Sequence, residues 1–254
     1  MPRIRIRALA AAAALLVLGS ALGGSALAAT VDGTPGDDSL AGTAAADTIR
    51  GLGGDDFVRA RAGGDTVFGG PGADKVEAGA GGDIVVGGSG RDFLEGALGD
   101  DVLRGRADRD SLFGDAGNDA LLGGLGRDGL AGGGGTDLLR GQGGDDDLWG
   151  AAGDDRLYGG DGDDSLTDWV PTSFGADGPA DDDYLSGGDG RDFVGIVNGA
   201  DQVLAGGGDD LVKLEDDGAA DIVDCGDGSD EVIYYSQVDP LDSLVACETV
   251  TTVE

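Results

Sequence analysis

Aspartate recurs at every ninth position through more than half of this 254-residue chain. From Gly33 to Thr167 the sequence divides without a gap into fifteen nine-residue units, and the sixth position of every unit is Asp. Glycine dominates the first and fourth positions and is the most frequent residue at the second, and the eighth is always Leu, Ile or Val. Carboxylates and backbone carbonyls are hard oxygen ligands of the kind that Ca²⁺ binds in proteins. The spacing therefore predicts a regular series of cation sites.

The other columns of the unit indicate how the chain would present these carboxylates. Glycine at positions one, two and four lets the backbone take positive φ and pack closely, which a tight turn needs if its carbonyls are to converge. Positions seven to nine then form a three-residue strand, along which successive side chains point to opposite faces. We expect position eight to be the only position that reaches a core.

The units match the pattern G-G-x-G-x-D-x-U-x, where U is a large aliphatic residue, and so resemble the RTX, or haemolysin-type, calcium-binding repeats. The resemblance implies an all-β fold, a right-handed parallel β-roll or β-solenoid in which two units form one coil. It also implies Ca²⁺ between stacked turns, held by the position-six carboxylates and by turn carbonyls. The implied ligands on one side are Asp38, Asp56, Asp74, Asp92, Asp110, Asp128, Asp146 and Asp164, and on the other Asp47, Asp65, Asp83, Asp101, Asp119, Asp137 and Asp155.

The repeat is interrupted once and then resumes. Residues 168–177 break the register and predict an insertion loop, whose aromatic residues Trp169 and Phe174 either contact a ligand or partner or cover nearby strand edges. A second block over residues 178–233 follows, in which glycine is sparser and two residues shift the frame before weaker units containing Asp221 and Asp230. The further calcium ligands predicted in this block are Asp183, Asp192, Asp201 and Asp210.

The first 28 residues predict a secretory signal peptide. Three arginines precede an apolar run over residues 8–22, and Ala26 and Ala28 form a small-x-small cleavage pattern. The alternative is an uncleaved anchor, for which about 15 apolar residues would be short. Cleavage leaves a main roll over residues 29–167 and predicts a secreted, extracellular protein. The leader holds three of the 16 basic residues and no acidic one, so its removal changes the net charge from −34 to −37.

The two cysteines are predicted to form a disulfide after export. Cys225 and Cys247 are the only cysteines in the chain, and an oxidising compartment favours the bonded pair. The alternative is two buried free thiols. Residues 234–254 are rich in β-branched and aromatic residues and predict a C-terminal β cap, which the disulfide would fasten to the last coil.

Composition restricts the function classes. With 50 acidic residues against 16 basic ones, the chain would repel the phosphates of a nucleic acid, and it is expected to need counter-cations in order to fold. The sequence has no histidine, no G-x-S-x-G motif and no metal-ligand motif outside the turns, which favours a non-enzymatic protein. Calcium is thus expected to act both as ligand and as folding trigger.

Two biological roles stay open at this point, an extracellular structural or adhesive module and a non-catalytic partner or remnant of a secreted RTX hydrolase or toxin. An ice-binding role would need a regular Thr column, which does not continue beyond Thr66. One outer sheet face is a candidate surface for self-association or for a cell-surface partner, unless its β-branched residues merely favour strands. Its apolar outward positions are Phe68, Ile84, Val86, Val102, Leu122 and Leu138.

Overall fold

The computed structural model describes residues 4–7, 27–168, 181–215, 218–235 and 238–253, and every helix or strand in these ranges is a β-strand. The chain divides into two compact units, residues 1–124 and 125–254. Each is built of parallel strands wound as a β-solenoid, with about 12 turns in all. The expected all-β solenoid is therefore confirmed. Within the ranges given, no helix is long and apolar enough to cross a membrane.

The first unit places its strands alternately in two sheets. One sheet has the order β1-β2-β4-β6-β8-β10-β12 and the other the order β3-β5-β7-β9-β11. The short strand β1 lies inside the predicted signal peptide and pairs with β2. The strands are β1 (Ile4–Arg7), β2 (Ala29–Asp32), β3 (Ser39–Ala41), β4 (Thr48–Arg50), β5 (Phe57–Ala62), β6 (Thr66–Pro71), β7 (Lys75–Ala80), β8 (Ile84–Ser89), β9 (Phe93–Leu98), β10 (Val102–Ala107), β11 (Ser111–Ala116) and β12 (Ala120–Leu125).

The second unit repeats this arrangement, with the orders β14-β16-β18-β20-β22-β24 and β13-β15-β17-β19-β21-β23-β25. Its strands are β13 (Gly129–Gly134), β14 (Leu138–Gly143), β15 (Asp147–Ala152), β16 (Arg156–Asp161), β17 (Ser165–Thr167), β18 (Tyr184–Asp189), β19 (Phe193–Ile196), β20 (Gln202–Gly207), β21 (Leu211–Glu215), β22 (Ile222–Asp227), β23 (Glu231–Tyr235), β24 (Ser243–Val245) and β25 (Thr249–Val253).

Equivalent positions of the repeat stack directly on one another. In β8 and β10, for example, Val85 pairs with Leu103, eighteen residues further along the chain. The stacking continues past the insertion, because Leu157 of β16 pairs with Leu185 of β18 across a separation of 28 residues. The insertion therefore leaves the register of the coils unchanged. Its aromatic residues Trp169 and Phe174 lie outside the described residues.

The core contains position eight, as expected, but the prediction that it contains only position eight is wrong. Leu94 and Leu103 at position eight are fully buried, and so are Ala60 and Ala78 at position one. Most strands are six residues long rather than three, as in Phe57–Ala62. Positions eight and one are then two residues apart on one strand, so their side chains point to the same face.

The outward face of the sheet that contains β6 and β8 is less uniformly exposed than predicted. Phe68 and Ile84 are 39% and 42% exposed, whereas Val86 is only 7% exposed. Val86 lies in register between Phe68 on β6 and Arg104 on β10. We attribute its burial to these longer neighbours, which can cover the smaller side chain from both sides.

The C-terminal strands extend both sheets of the second unit. β24 pairs with β22, and β25 pairs with β23. Cys225 of β22 is bonded to Cys247, and their Cα atoms are 5.2 Å apart, which is a usual separation for a disulfide. The predicted pairing is therefore confirmed.

Candidate metal centre

All nineteen aspartates predicted as ligands are buried, with exposed fractions of 8% or less. Each follows a turn and directly precedes a strand, and stacked aspartates of neighbouring coils lie in register within each unit. Burial of so many carboxylates is unusual, because an ionised side chain loses its hydration on leaving water. The arrangement therefore needs something that compensates for the lost water.

Hydrogen bonds between coils compensate one oxygen of most of these carboxylates. The Asp38 amide donates to Oδ1 of Asp56 at 2.8 Å, and the Asp56 amide donates to Oδ1 of Asp74 at 2.9 Å. The same bond joins Asp47 to Asp65 at 2.6 Å on the other side of the first unit. These bonds form a ladder of aspartates along each side of the first unit, in which each later rung is held by the coil before it.

The ladders of the second unit pass through both irregularities of the sequence. The Asp155 amide donates to Oδ1 of Asp183 at 2.6 Å across the insertion. After the frame shift the Asp201 amide donates to Asp221, and the Asp210 amide to Asp230, both at 2.9 Å. The two weaker units predicted from the sequence thus contribute rungs like the others.

The second oxygen, Oδ2, is not compensated in the same way. At most rungs it is buried and has no hydrogen-bond partner among the described residues. These rungs are Asp56, Asp65, Asp74, Asp83, Asp92, Asp101, Asp146, Asp155, Asp164, Asp192, Asp210 and Asp230. A buried carboxylate oxygen without a donor is strongly unfavourable, and a bound cation would remove this penalty.

Glycine at position one makes room for this second oxygen. A Cβ at Gly87 would lie 2.2 Å from Oδ2 of Asp92, and one at Gly51 would lie 2.0 Å from Oδ2 of Asp56. Position two and position four adopt positive φ instead, as at Gly70 (122°) and Gly72 (139°). The glycines of one unit therefore serve two purposes, space for the carboxylate and a left-handed turn.

The donor set fits Ca²⁺ better than a softer metal. Among the described residues, no three carboxylate, thiol or imidazole side chains converge on one point. An ion at a rung would therefore take its remaining ligands from backbone carbonyls of the turns, giving an all-oxygen shell. Oxygen donors of this kind suit Ca²⁺, whereas Zn²⁺ prefers sulfur and nitrogen.

Electrostatics also favour a cation at the rungs. Burial raises the pKa of Asp155 to about 8, and the charges of Asp137 and Asp183 raise it further, against the lowering effect of a backbone hydrogen bond. Burial likewise raises the pKa of Asp92 to about 7. Near neutral pH Asp92 and Asp155 therefore hold their charge only with difficulty, and a proton or a metal ion would offset this cost.

Several residues of the ladders were not predicted from the sequence. A second row of carboxylates at position five accepts amides of the next coil, as when Asp55 Oδ1 accepts the Ala73 amide at 2.8 Å. At the C-terminal end Asp242 accepts the Asp221 amide at 3.0 Å, and Glu248 accepts the Asp230 amide at 2.9 Å. The frequent Asp-Asp pairs at positions five and six could have indicated the position-five carboxylates. Asp242 and Glu248 lie outside the nine-residue period, so the repeat pattern did not indicate them.

Comparison with known proteins agrees with this geometry. A family model described as an RTX calcium-binding nonapeptide repeat matches residues 32–67, 60–94, 95–130, 131–166 and 177–194. These stretches contain the main array and the first units after the insertion. No curated protein matches the chain.

Proposed function

Since the chain belongs to the RTX calcium-binding nonapeptide repeat family, we propose that it is a secreted structural module that binds Ca²⁺ at its aspartate ladders and folds when it does so. RTX repeats in a β-solenoid form a calcium-binding structural module that is not catalytic by itself. The proposal assigns the ions to this chain's own position-six aspartates and adds that calcium controls folding.

The observation that carries the proposal is the row of buried Oδ2 atoms without hydrogen-bond partners among the described residues. Each belongs to a carboxylate whose other oxygen is already held by an amide of the neighbouring coil. The coils therefore orient the carboxylate and leave one oxygen for an ion. If the ladder served only to join coils, we would expect both oxygens of each carboxylate to accept hydrogen bonds from the protein.

Folding should depend on the metal because the carboxylates repel one another when the coils stack. The formal charge of −34 opposes compaction, and each divalent ion removes two negative charges from the folded state. Because the rungs come together only in the folded chain, the free energy of binding contributes directly to folding. Extracellular calcium modules commonly bind in the range of about 10⁻⁴ to 10⁻³ M.

Secretion is the part of the proposal supported by the disulfide and by the predicted leader. The Cys225–Cys247 bond fits an oxidising compartment, and RTX repeat proteins are typically secreted. Millimolar extracellular calcium would then fold the chain after export.

An adhesive role is supported by the exposed apolar side chains of Phe68 and Ile84, which lie on neighbouring strands of one sheet. A second copy of this chain or a cell-surface partner would cover them. Sedimentation of the calcium-loaded protein, with Phe68→Thr and Ile84→Thr together as the test variant, measures self-association. A monomeric wild type would refute self-association and leave the partner at a cell surface.

Circular dichroism during a calcium titration tests the calcium-dependent fold. We expect a disordered spectrum in chelator, a strand spectrum with calcium, reversal by chelator and little response to magnesium. Asp155→Asn should raise the calcium concentration needed for folding. The matched control is Asp161→Asn, which removes the same charge from an exposed position outside the ladder. A strand spectrum that is unchanged by chelator would refute the proposal, as would equal effects of the two variants.

A further inference from the structure

The first two turns of the array have a different backbone from those that follow. In each of the thirteen later units of the main block, positions two and four both have positive φ, including non-glycine residues such as Leu52 (83°) and Asp108 (76°). The equivalent residues of the first two units are Thr34, Gly36, Thr43 and Ala45, and none of these four has a positive φ.

Threonine at position two explains the difference. A β-branched residue is strongly disfavoured at positive φ, because its branched Cβ crowds the backbone. Thr34 and Thr43 are the only threonines at position two of the fifteen units, and every other residue there is glycine or lacks a branch at Cβ. The two turns therefore adopt another conformation for a reason that is local to their sequence.

In the first turn the Thr34 side chain occupies the turn and satisfies the carboxylate. The Thr34 amide donates to Oδ2 of Asp38 at 2.5 Å, and the Thr34 hydroxyl lies 2.9 Å from the same oxygen. The hydroxyl also accepts the Gly36 amide at 3.3 Å. At rungs such as Asp56, Oδ2 has no hydrogen-bond partner among the described residues. In the first turn, Oδ2 of Asp38 instead receives hydrogen bonds from Thr34.

The second turn repeats this pattern independently. The Thr43 amide donates to Oδ2 of Asp47 at 2.5 Å, and the Thr43 hydroxyl lies 3.1 Å from Oδ1. The hydroxyl accepts the Ala45 amide at 3.2 Å. Oδ1 of Asp47 also accepts the Ala29 amide at 2.5 Å, so both oxygens of this carboxylate are hydrogen-bonded.

We infer that the first two turns bind no calcium and form an N-terminal cap closed by threonine, so that the calcium ladders begin at Asp56 and Asp65. An ion at Asp38 or Asp47 would have to displace donors already bonded to the carboxylate and would meet a turn that lacks the left-handed residues. The inference rests on the proposed function, because it decides which predicted ligands hold calcium. Position two is then the residue that separates a calcium turn from a capping turn.

Such a cap has a physical purpose at the end of a solenoid. The first turn precedes β3, which ends its sheet and pairs only with β5, so an ion there would lack the ligands that a preceding coil supplies. Hydrogen bonds from a threonine need no second coil. The cap keeps the first rungs ordered where calcium would be held least well.

Native mass spectrometry of the calcium-saturated protein tests the inference by counting bound ions. The variant Asp38→Asn with Asp47→Asn should retain the wild-type number. The matched variant Asp56→Asn with Asp65→Asn, which changes the same atoms one coil later on each side, should lose at least one ion. Loss of as many ions from the first variant as from the second would overturn the inference.

A second variant decides the question if the first fails to fold. Thr34→Gly with Thr43→Gly introduces the residue type that permits positive φ and removes both hydroxyls, so it should bind at least one ion more than the wild type. An unchanged count in this variant would overturn the inference. A wild type that binds no calcium would instead refute the proposed function, which keeps the two failures apart.

Discussion

Acidification should promote folding of the calcium-free protein, because protons can replace calcium at the ladders. Burial raises the pKa of Asp92 and of Asp146 from 3.8 to about 7, and that of Asp201 to about 8. A carboxyl group whose pKa is higher in the folded than in the unfolded chain favours folding at low pH. This advantage is lost as the pH rises through the folded-state pKa.

The size of the effect follows from these pKa values. For a pKa that moves from 3.8 to about 7, ionisation disfavours the folded state by about 4 kcal/mol at pH 7.5 and by about 1.7 kcal/mol at pH 5. Each such rung therefore gains about 2 to 3 kcal/mol when the pH falls between these values. Several rungs together exceed the usual stability of a domain, about 5 to 15 kcal/mol, so the calcium-free roll should be unfolded at pH 7.5.

The assay is circular dichroism and sedimentation in chelator between pH 7.5 and pH 5. The lower limit stays above the isoelectric point of about 4.1, so the chain keeps a negative charge and remains soluble. We expect strand content and compactness to rise as the pH falls. Because calcium needs the ionised carboxylates, more calcium should be required at pH 5 than at pH 7.5.

A variant that removes two strongly shifted groups provides the control. Asp155→Asn with Asp201→Asn leaves two rungs neutral at every pH, so the pH response of the calcium-free chain should become smaller. An unchanged spectrum of the wild type between pH 7.5 and pH 5 would refute the reasoning. So would tighter calcium binding at pH 5.

Three further predictions concern the packing of the second unit. Gly208→Ala should prevent folding in calcium, because the new Cβ would lie 1.6 Å from a backbone oxygen of the neighbouring coil. Gly207→Ala is the control, since a Cβ there would lie 3.8 Å from its nearest atom. Circular dichroism compares the two variants, and equal behaviour would contradict the stacking. Replacing Cys225 by Ala opens a 22-residue loop and should lower the free energy of unfolding in saturating calcium by about 3 kcal/mol. Denaturant titration measures this change, and an unchanged free energy of unfolding would contradict a stabilising role of the disulfide. Tyr234→Phe removes the hydroxyl that donates to Oδ2 of Asp242 at 2.9 Å and should lower the free energy of unfolding by about 1 to 3 kcal/mol. A variant as stable as the wild type in the same titration would show that this hydrogen bond contributes nothing.

The sequence alone predicted the solenoid, the buried position-eight residues and the family. This was possible because each unit is surrounded by copies of itself, so one unit largely defines the environment of the next. The disulfide could also be predicted, since Cys225 and Cys247 have no alternative partner in the chain. Position six was identified as the place of the carboxylates for the same reason, by its constancy across the array.

Only the tertiary structure decided how the carboxylates are used. In Asp56, Oδ1 accepts an amide, whereas Oδ2 has no partner among the described residues. This difference depends on how the coils stack, and the sequence of a single unit does not reveal it. The burial of Ala60 also required the true strand length, because a strand that continues through position one turns that side chain toward the core. At Thr34 and Thr43 the sequence keeps the period while the backbone changes, because one β-branched side chain cannot adopt the left-handed conformation of the later turns.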